Sequence, residues 1–283
     1  MNGLLVIDKQ AGVTSHDVVA MCRRILGERR VGHAGTLDPG ATGVLVVGVG
    51  RATRLLRFVE DADKEYAAEA IFGVTMTTLD AQGDVISEKD ASGLSEDDVR
   101  GVLSRFMGDI DQVPPMVSAI KVGGEALYKK ARRGEDVARE PRRVRVDALA
   151  LEAFEGGERA HARFRVRCSK GTYIRSLVAD IGEVLGVGAH VSALRRTKVG
   201  AFTDAEAIPV SGVSESVLQP MEAAVAGYPR RSVDEAGARA LVHGKPLEPG
   251  GIDGVYAVYG PEGLLAMAED REGEARSLCV LTG

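Results

Sequence analysis

Residues 33 to 45 read HAGTLDPGATGVL, and Asp38 is the only acid or fixed cation among them. A carboxylate can attack an electrophilic carbon or take a proton, and its setting decides whether it does either. A phosphate cradle is the first chemistry to test. GTLDPGAT has the G-x-x-x-x-G spacing, but Ala41-Thr42 stand where Lys and Ser/Thr must hold the phosphates, and an acid inside the cradle repels them. GVGRAT (48–53) is a second candidate, for a dinucleotide, but Thr53 occupies the third glycine position that close helix–strand packing requires. An ordinary Asp-Pro turn is the structural alternative, since both residues favour turns. Gly35, Gly40 and Gly43 weaken it, because they let another chain or a flat ligand approach the backbone closely. A carboxylate held there faces a ligand rather than solvent.

The flanking elements must hold that loop. GLLVID (3–8) reads as a short buried strand. TSHDVVAMCRRILG predicts a helix capped by Thr14 or Ser15, with Asp17 in its first turn, Val18, Cys22, Ile25 and Leu26 on its apolar side, and Gly27 as its stop. After the loop, VLVVGVG predicts a strand and ATRLLRFVED a short helix. KEYAAEAIFG (64–73) alternates, with Tyr66, Ala68, Ala70 and Phe72 on one face and Glu69 opposite. SEDDVRGVLSRFMG predicts a helix capped by Ser95, with acids in its first turn. Residues 143–155 and 160–169 predict a strand pair about an EGGE turn, with Arg163, Arg165 and Arg167 on a basic face and Phe164, Val166 and Cys168 on a core face. TYIRSLVADIGEVLG has the helical spacing of Ile174, Leu177, Val178, Ile181 and Leu185. GYPRRS (227–232) reads as a linker into a Gly-rich tail with short strands such as GVYAVYG and SLCVL.

Composition bounds what such a chain can be. With 283 residues, 45% hydrophobic and 27% charged, it can bury one large domain or a large and a small one, although without Trp its core must be mostly aliphatic. No apolar run reaches the roughly 20 residues that span a bilayer, and no secretory leader is expected from MNGLLVIDKQ. Cys22, Cys168 and Cys279 lack CxxC spacing, so neither a zinc site nor a disulfide framework is expected. A reduced, cytoplasmic protein is the plain expectation. The net charge of -5 hides a segregation: 21–57 carries seven basic residues against two acidic, 121–146 nine against four, and 159–200 nine against two. Three such segments converging in the fold would suit a phosphate backbone; the alternative is that they are solvated faces.

The run from Gly32 to Leu45 resembles the catalytic motif of the TruB family of pseudouridine synthases, GH-x-G-x-LDP-x-ATG. LLVIDK (4–9) with Thr14-Ser15, DKEY (63–66), SAIK (118–121) with Leu127-Tyr128, CSKGTYIR (168–175) and GAHVSALRR (188–196) follow in the family's order, so the resemblance covers nearly the whole chain. Thr36, where some members have Ala, and Pro39-Gly40, where many have Pro-Leu, remove no reactive group. The resemblance implies an α+β pseudouridine synthase fold, with a large mixed, mainly antiparallel sheet flanked by helices. It implies a catalytic domain over 1–227 and a short, acidic PUA-like RNA-binding β-domain over 228–283.

It also implies the reaction. The bond from ribose C1′ to uracil N1 breaks, the base turns, and C5 joins C1′, with no cofactor and no metal. Asp38 would be the reacting carboxylate, attacking C1′ or removing a proton from C2′, two routes that sequence leaves open. Arg175 matches the family's paired arginine, and Tyr66 the tyrosine that stacks on the target base and takes the C5 proton. The target uridine lies inside a folded RNA loop and must be flipped out at a cost of a few kcal/mol. His33 matches the histidine inserted near it, Tyr173 and Leu194 match pocket walls, and Lys9 a lysine near the active site. Lys121, Arg132, Arg142 and Arg143 are candidate phosphate contacts on charge and position alone. The expected substrate is the T-loop uridine at position 55 of tRNA, recognised without guide RNA by a chain that need be no more than a monomer. The rival reading is a catalytically silent RNA-binding or tRNA-folding protein on the same scaffold.

Overall fold

The computed structural model describes residues 1–118, 120–135 and 137–281, and of these it describes the side chains of all but 121, 122, 126, 128 and 132. The chain divides into two compact units, one made of 1–38, 44–61 and 199–283, the other of 39–43 and 62–198.

The first unit opens with β1 (Gly3–Lys9), buried from Gly3 to Ile7 as its apolar run requires. Helix α1 (Ser15–Leu26) follows, its start fixed by a reciprocal capping box. The Thr14 hydroxyl accepts from the Asp17 amide at 3.0 Å, and the Asp17 carboxylate accepts from the Thr14 amide at 2.9 Å. Gly27 ends the helix with φ +63. The buried stripe of α1 runs through Ser15, Val18, Val19 and Cys22, and Ile25, expected on that face, is 49% exposed. With about 3.6 residues per turn, Ile25 falls at the margin of this stripe and Leu26 nearer its centre. β2 (Val31–Ala34) pairs antiparallel with β3 (Thr42–Val49), His33 opposite Val47, and the motif loop connects the two. A 3-10 turn over Gly50–Leu55 then leads into α2 (Leu56–Glu60).

The second unit is a sheet with one covered face. In it β4 (Lys64–Phe72) precedes a small hairpin, β5 (Val74–Met76) with β6 (Val85–Glu88), and α3 (Glu96–Leu103). β7 (Gly108–Gln112) is followed by a second hairpin, β8 (Lys121–Val122) with β9 (Glu125–Ala126), and by α4 (Leu127–Arg132). β10 (Arg142–Glu155), β11 (His161–Cys168), α5 (Ile174–Val184) and β12 (Ala189–Val199) complete it. The strand order is β12-β4-β11-β10-β7. β4, β11, β10 and β7 pair antiparallel in turn, while β12 pairs in parallel with Thr42 and Gly43, so the sheet is mixed and mainly antiparallel. Phe72, Phe164 and Val166 of the strands, Val99 of α3 and Leu177, Val178 and Ile181 of α5 share one apolar core. β11 alternates exposed and buried without a break, as its sequence predicts. Its outer face, however, is not simply basic. Arg165 pairs with Glu152 at 2.7 Å and Glu65 at 3.0 Å, and Arg163 with Glu152 at 3.5 Å, acids that neighbouring strands bring across.

The C-terminal stretch returns to the first unit. After β13 (Phe202–Thr203), segments near Ile208 and Gln219 bridge to Ile7 and Leu4 of β1. The stretch read as a linker contains an edge strand, β14 (Arg230–Ser232), parallel to β15 (Val255–Gly260). Helix α6 (Glu235–Val242), β16 (Gly263–Arg271) and β17 (Glu274–Val280) complete a separate four-stranded sheet. Ala257, Leu264, Met267 and Leu281 lie in one core with Leu4, Val44, Val46 and Leu55, and Arg51 and Arg54 donate to the carbonyls of Leu281 and Val280.

Candidate active site

Asp38 sits half-buried in the β2–β3 loop, where the chain follows no regular hydrogen-bonding pattern. Leu37, just before it, is buried, and the Ser15 hydroxyl brackets it: Ser15 Oγ donates to the Leu37 carbonyl at 3.1 Å and accepts from the Leu37 amide at 2.9 Å. The glycine that ends the motif has a packing reason. Gly43 has φ +97, and a Cβ there would collide with the backbone of Arg196, its partner residue on β12. His33 is half-buried on β2, its ring edge-on to that of His16 with centroids 5.3 Å apart. Lys9 ends β1 with no exposed surface, and its ammonium donates to the Gln10 carbonyl at 3.0 Å.

In the second unit Arg175 starts α5 and is 4% exposed. Its guanidinium donates to the carbonyls of Thr78 at 2.9 Å and Val117 at 2.8 Å, and it pairs with the Asp80 carboxylate at 3.3 Å. Asp80, within the polar stretch TMTTLDAQGD (75–84), is a partner of Arg175 that the sequence reading did not single out. Its other oxygen accepts from the Thr78 hydroxyl at 2.6 Å and the Gln82 amide at 3.0 Å. Beside it, Leu79 takes φ +61, a left-handed conformation costly for a branched side chain, and the Leu79 carbonyl and Ala81 amide bond to Val191 of β12. A buried fixed cation thus pairs with a carboxylate, and among the described residues its donors also reach two backbone carbonyls.

Tyr66 lies on the core face of β4, in register with Val166, as the alternation predicts. Tyr66 and Leu194 both pack half-buried against the cluster that contains Ile174, the residue before Arg175. Tyr173 occupies the N-cap position of α5, where the buried Gln112 side chain brackets it, accepting from its amide at 2.9 Å and donating to its carbonyl at 3.2 Å. Arg142 and Arg143 are exposed on β10 opposite the acidic strand β7, and Arg143 reaches Asp109 at 3.4 Å. The side chains of Lys121 and Arg132 lie outside the described residues. Among the described residues no group of three or more His, Cys, Asp and Glu side chains has metal-ligand geometry, and no helix is long and apolar enough to cross a membrane.

Solved structures with this architecture define the class. The chain superposes on a protein in the structure of a Cbf5-Nop10-Gar1 complex with TM-score 0.77 and 31% identity, covering 99% of this chain and 85% of that one. A protein in the structure of an H/ACA RNP bound to a substrate RNA containing 2′-deoxyuridine gives 0.74 and 28%, with 99% and 85% covered. The fold is that of the pseudouridine synthases. Residues 23–174 match the model of the TruB family pseudouridylate synthase N-terminal domain. Residues 175–226 match the tRNA pseudouridylate synthase B C-terminal domain, and 228–282 the C-terminal domain of tRNA pseudouridine synthase II. The chain is similar to proteins named tRNA pseudouridine synthase B from Mycobacterium sp. (strain KMS), 47% identical over 99% of this chain and 96% of that one, and from Thermobifida fusca (strain YX), 44% identical over 100% and 99%. The chain belongs to the TruB family.

Proposed function

We propose that this protein is a tRNA pseudouridine synthase that isomerises the T-loop uridine at position 55, acting alone, without guide RNA or cofactor, in the cytoplasm. The observation that carries the reading is family membership along the whole chain together with an unbroken Asp38, Tyr66 and Arg175 set. In this reading Asp38 is the carboxylate that reacts at C1′ or C2′ of the ribose while the bond to N1 breaks. Arg175 supplies the positive charge that keeps the carboxylate ionised before it reacts; on either route that negative charge passes to the uracil as the bond to N1 breaks. Tyr66 stacks on the freed uracil as C5 turns toward C1′; once the new bond has formed, the tyrosine oxygen takes the C5 proton as its hydroxyl gives its own to water, and N1 gains a proton from water. His33 fills the space the flipped nucleotide leaves, Tyr173 and Leu194 wall the pocket, and Lys9 holds its loop from within. Arg142 and Arg143, with Lys121 and Arg132, contact phosphates.

The test is an unmodified tRNA transcript incubated with the protein and mapped by carbodiimide-blocked primer extension. A single stop in the T loop is expected, absent with Asp38→Asn, which should still bind tRNA. Binding without any stop by the parent protein would instead select the silent RNA-binding reading.

A further inference from the structure

Helix α1 grips the strand and loop that lead to Asp38 at three successive places. Arg23 donates to the Val31 carbonyl at 2.7 Å, where β2 begins. His16 meets His33 edge-on, the rings at 87° to one another. Ser15 brackets Leu37 through both of its backbone groups. The ties therefore run along the chain toward the carboxylate, and the last of them takes hold of the peptide group that joins residue 37 to Asp38.

The local chemistry shows why Ser15 can be used in this way. Thr14 and Asp17 cap the helix between them, so Ser15 at the first helical position has no capping duty. Its hydroxyl is 1% exposed and turned toward the loop. One oxygen serves as donor and acceptor at once, and its geometry is complementary to a single residue, since both bonds go to Leu37. Leu37 is itself 3% exposed, so water is a poor substitute for either bond.

We infer that the first turn of α1 is a positioning element for the reaction proposed above, with Ser15 setting Asp38 through Leu37 and His16 setting His33. The inference rests on that functional reading. Neither residue touches the reacting atoms in this account. Ser15 fixes the loop in which the carboxylate sits, and a displacement of about 1 Å at a reacting group can cost on the order of a hundredfold in rate. His16 is exposed and its ring lies edge-on against that of His33, so another aromatic ring in its place should keep the contact.

The experiment uses the full chain in excess over tRNA labelled with tritium at C5 of uridine, so that tritium release reports a single turnover. Binding and Tm are measured alongside. Ser15→Ala should slow release by between about tenfold and a hundredfold with tRNA affinity unchanged, and Ser15→Thr, which keeps the hydroxyl, should recover most of the rate. Cys22→Ala, buried in the same helix away from the loop, should lower Tm without slowing release. His16→Ala should slow release, and His16→Phe should restore it. The inference is overturned if Ser15→Ala reacts at the parent rate, or if Cys22→Ala slows release as much. Should Ser15→Ala fail to fold, the His16 pair decides, and a parent-like rate in His16→Ala overturns it. A parent chain that releases no tritium overturns the functional reading itself, a result distinct from these.

Discussion

The two units solve the same problem with different side chains. In the first, Ser15 holds both backbone groups of Leu37, beside Asp38; in the second, Gln112 holds both backbone groups of Tyr173, two residues before Arg175. Both side chains are 1% exposed. The difference lies in what they hold. Leu37 lies in an irregular loop, whereas the Tyr173 carbonyl also accepts from the Leu177 amide at 3.0 Å as the first bond of α5. A side chain carried on a loop depends on a dedicated anchor. One at a helix start takes much of its position from the helix, and its anchor mainly joins that helix to its neighbour, here β7.

The sharpest way to strain the helix side is to remove the cation it carries. Arg175→Ala would leave Asp80 without its ion-pair partner and the Thr78 and Val117 carbonyls without donors. Breaking a buried pair from one side costs about 3–5 kcal/mol, and urea unfolding should show a loss of that size together with loss of turnover. Arg175→Lys keeps the charge but replaces a planar fork, whose two terminal nitrogens reach separate acceptors, with a single nitrogen, so it should restore part of the stability and little of the rate. Gln112→Ala comes next. It should cost about 1–3 kcal/mol for the buried groups it leaves unpaired, yet slow turnover less than Ser15→Ala does. A larger rate loss from Gln112→Ala than from Ser15→Ala would break the comparison, because the helix start would then need its anchor as much as the loop does.

These contacts also mark what the sequence could and could not reveal. Periodicity located β4, β11 and α5 because each sets an apolar face against one core, and the alternation of Arg163, Arg165 and Arg167 with Phe164, Val166 and Cys168 is the burial pattern found. Motif spacing singled out Asp38, and the resemblance singled out Tyr66 and Arg175. Asp80 escaped both, since an Asp in a polar turn looks like any turn former until the fold brings it to a residue 95 positions on. The outer face of β11 was misjudged partly for the same reason: Glu65 is 100 residues from Arg165 but adjacent across the sheet, while Glu152, on the paired strand β10, is only 13 residues away. Strand β14 was hidden because its three polar residues show no apolar alternation; what holds them is the ladder to β15 and the contacts of Arg230 and Arg231 with Tyr259 and Tyr256. Local pattern reports which way a side chain faces; it does not report which distant partner meets it.

That compensation of charge bears on RNA contact and gives a smaller prediction. Arg143 is 70% exposed in its side chain and its nearest acid, Asp109, is 3.4 Å away, a pair worth little in water. If Arg143 meets a phosphate, Arg143→Ala should flatten the salt dependence of tRNA binding by about one unit of log–log slope. An unchanged slope would mean that Arg143 meets no phosphate.

The smallest effect sharpens the contrast within α5 itself. Arg175 is a buried charge whose partners were built around it. Asp180, five residues on, lines a cleft of about 460 Å³ with Glu183, Lys89 and Arg139, and burial, reinforced by the charge of Glu183, pushes its carboxyl up to about 6 from an ordinary 3.8. Lys89 is turned to the Gly186 carbonyl at 2.8 Å. Between about pH 4 and 6 the folded chain keeps a proton on Asp180 that the unfolded chain has released, so this group's contribution to stability falls as pH rises through that window and is level above it. Asp180→Asn imitates the protonated form and should remove the decline, stabilising the protein more at pH 7 than at pH 5 in urea unfolding. Equal stabilisation at both would mean that Asp180 is already ionised at pH 5, with its charge as well provided for as that of Arg175.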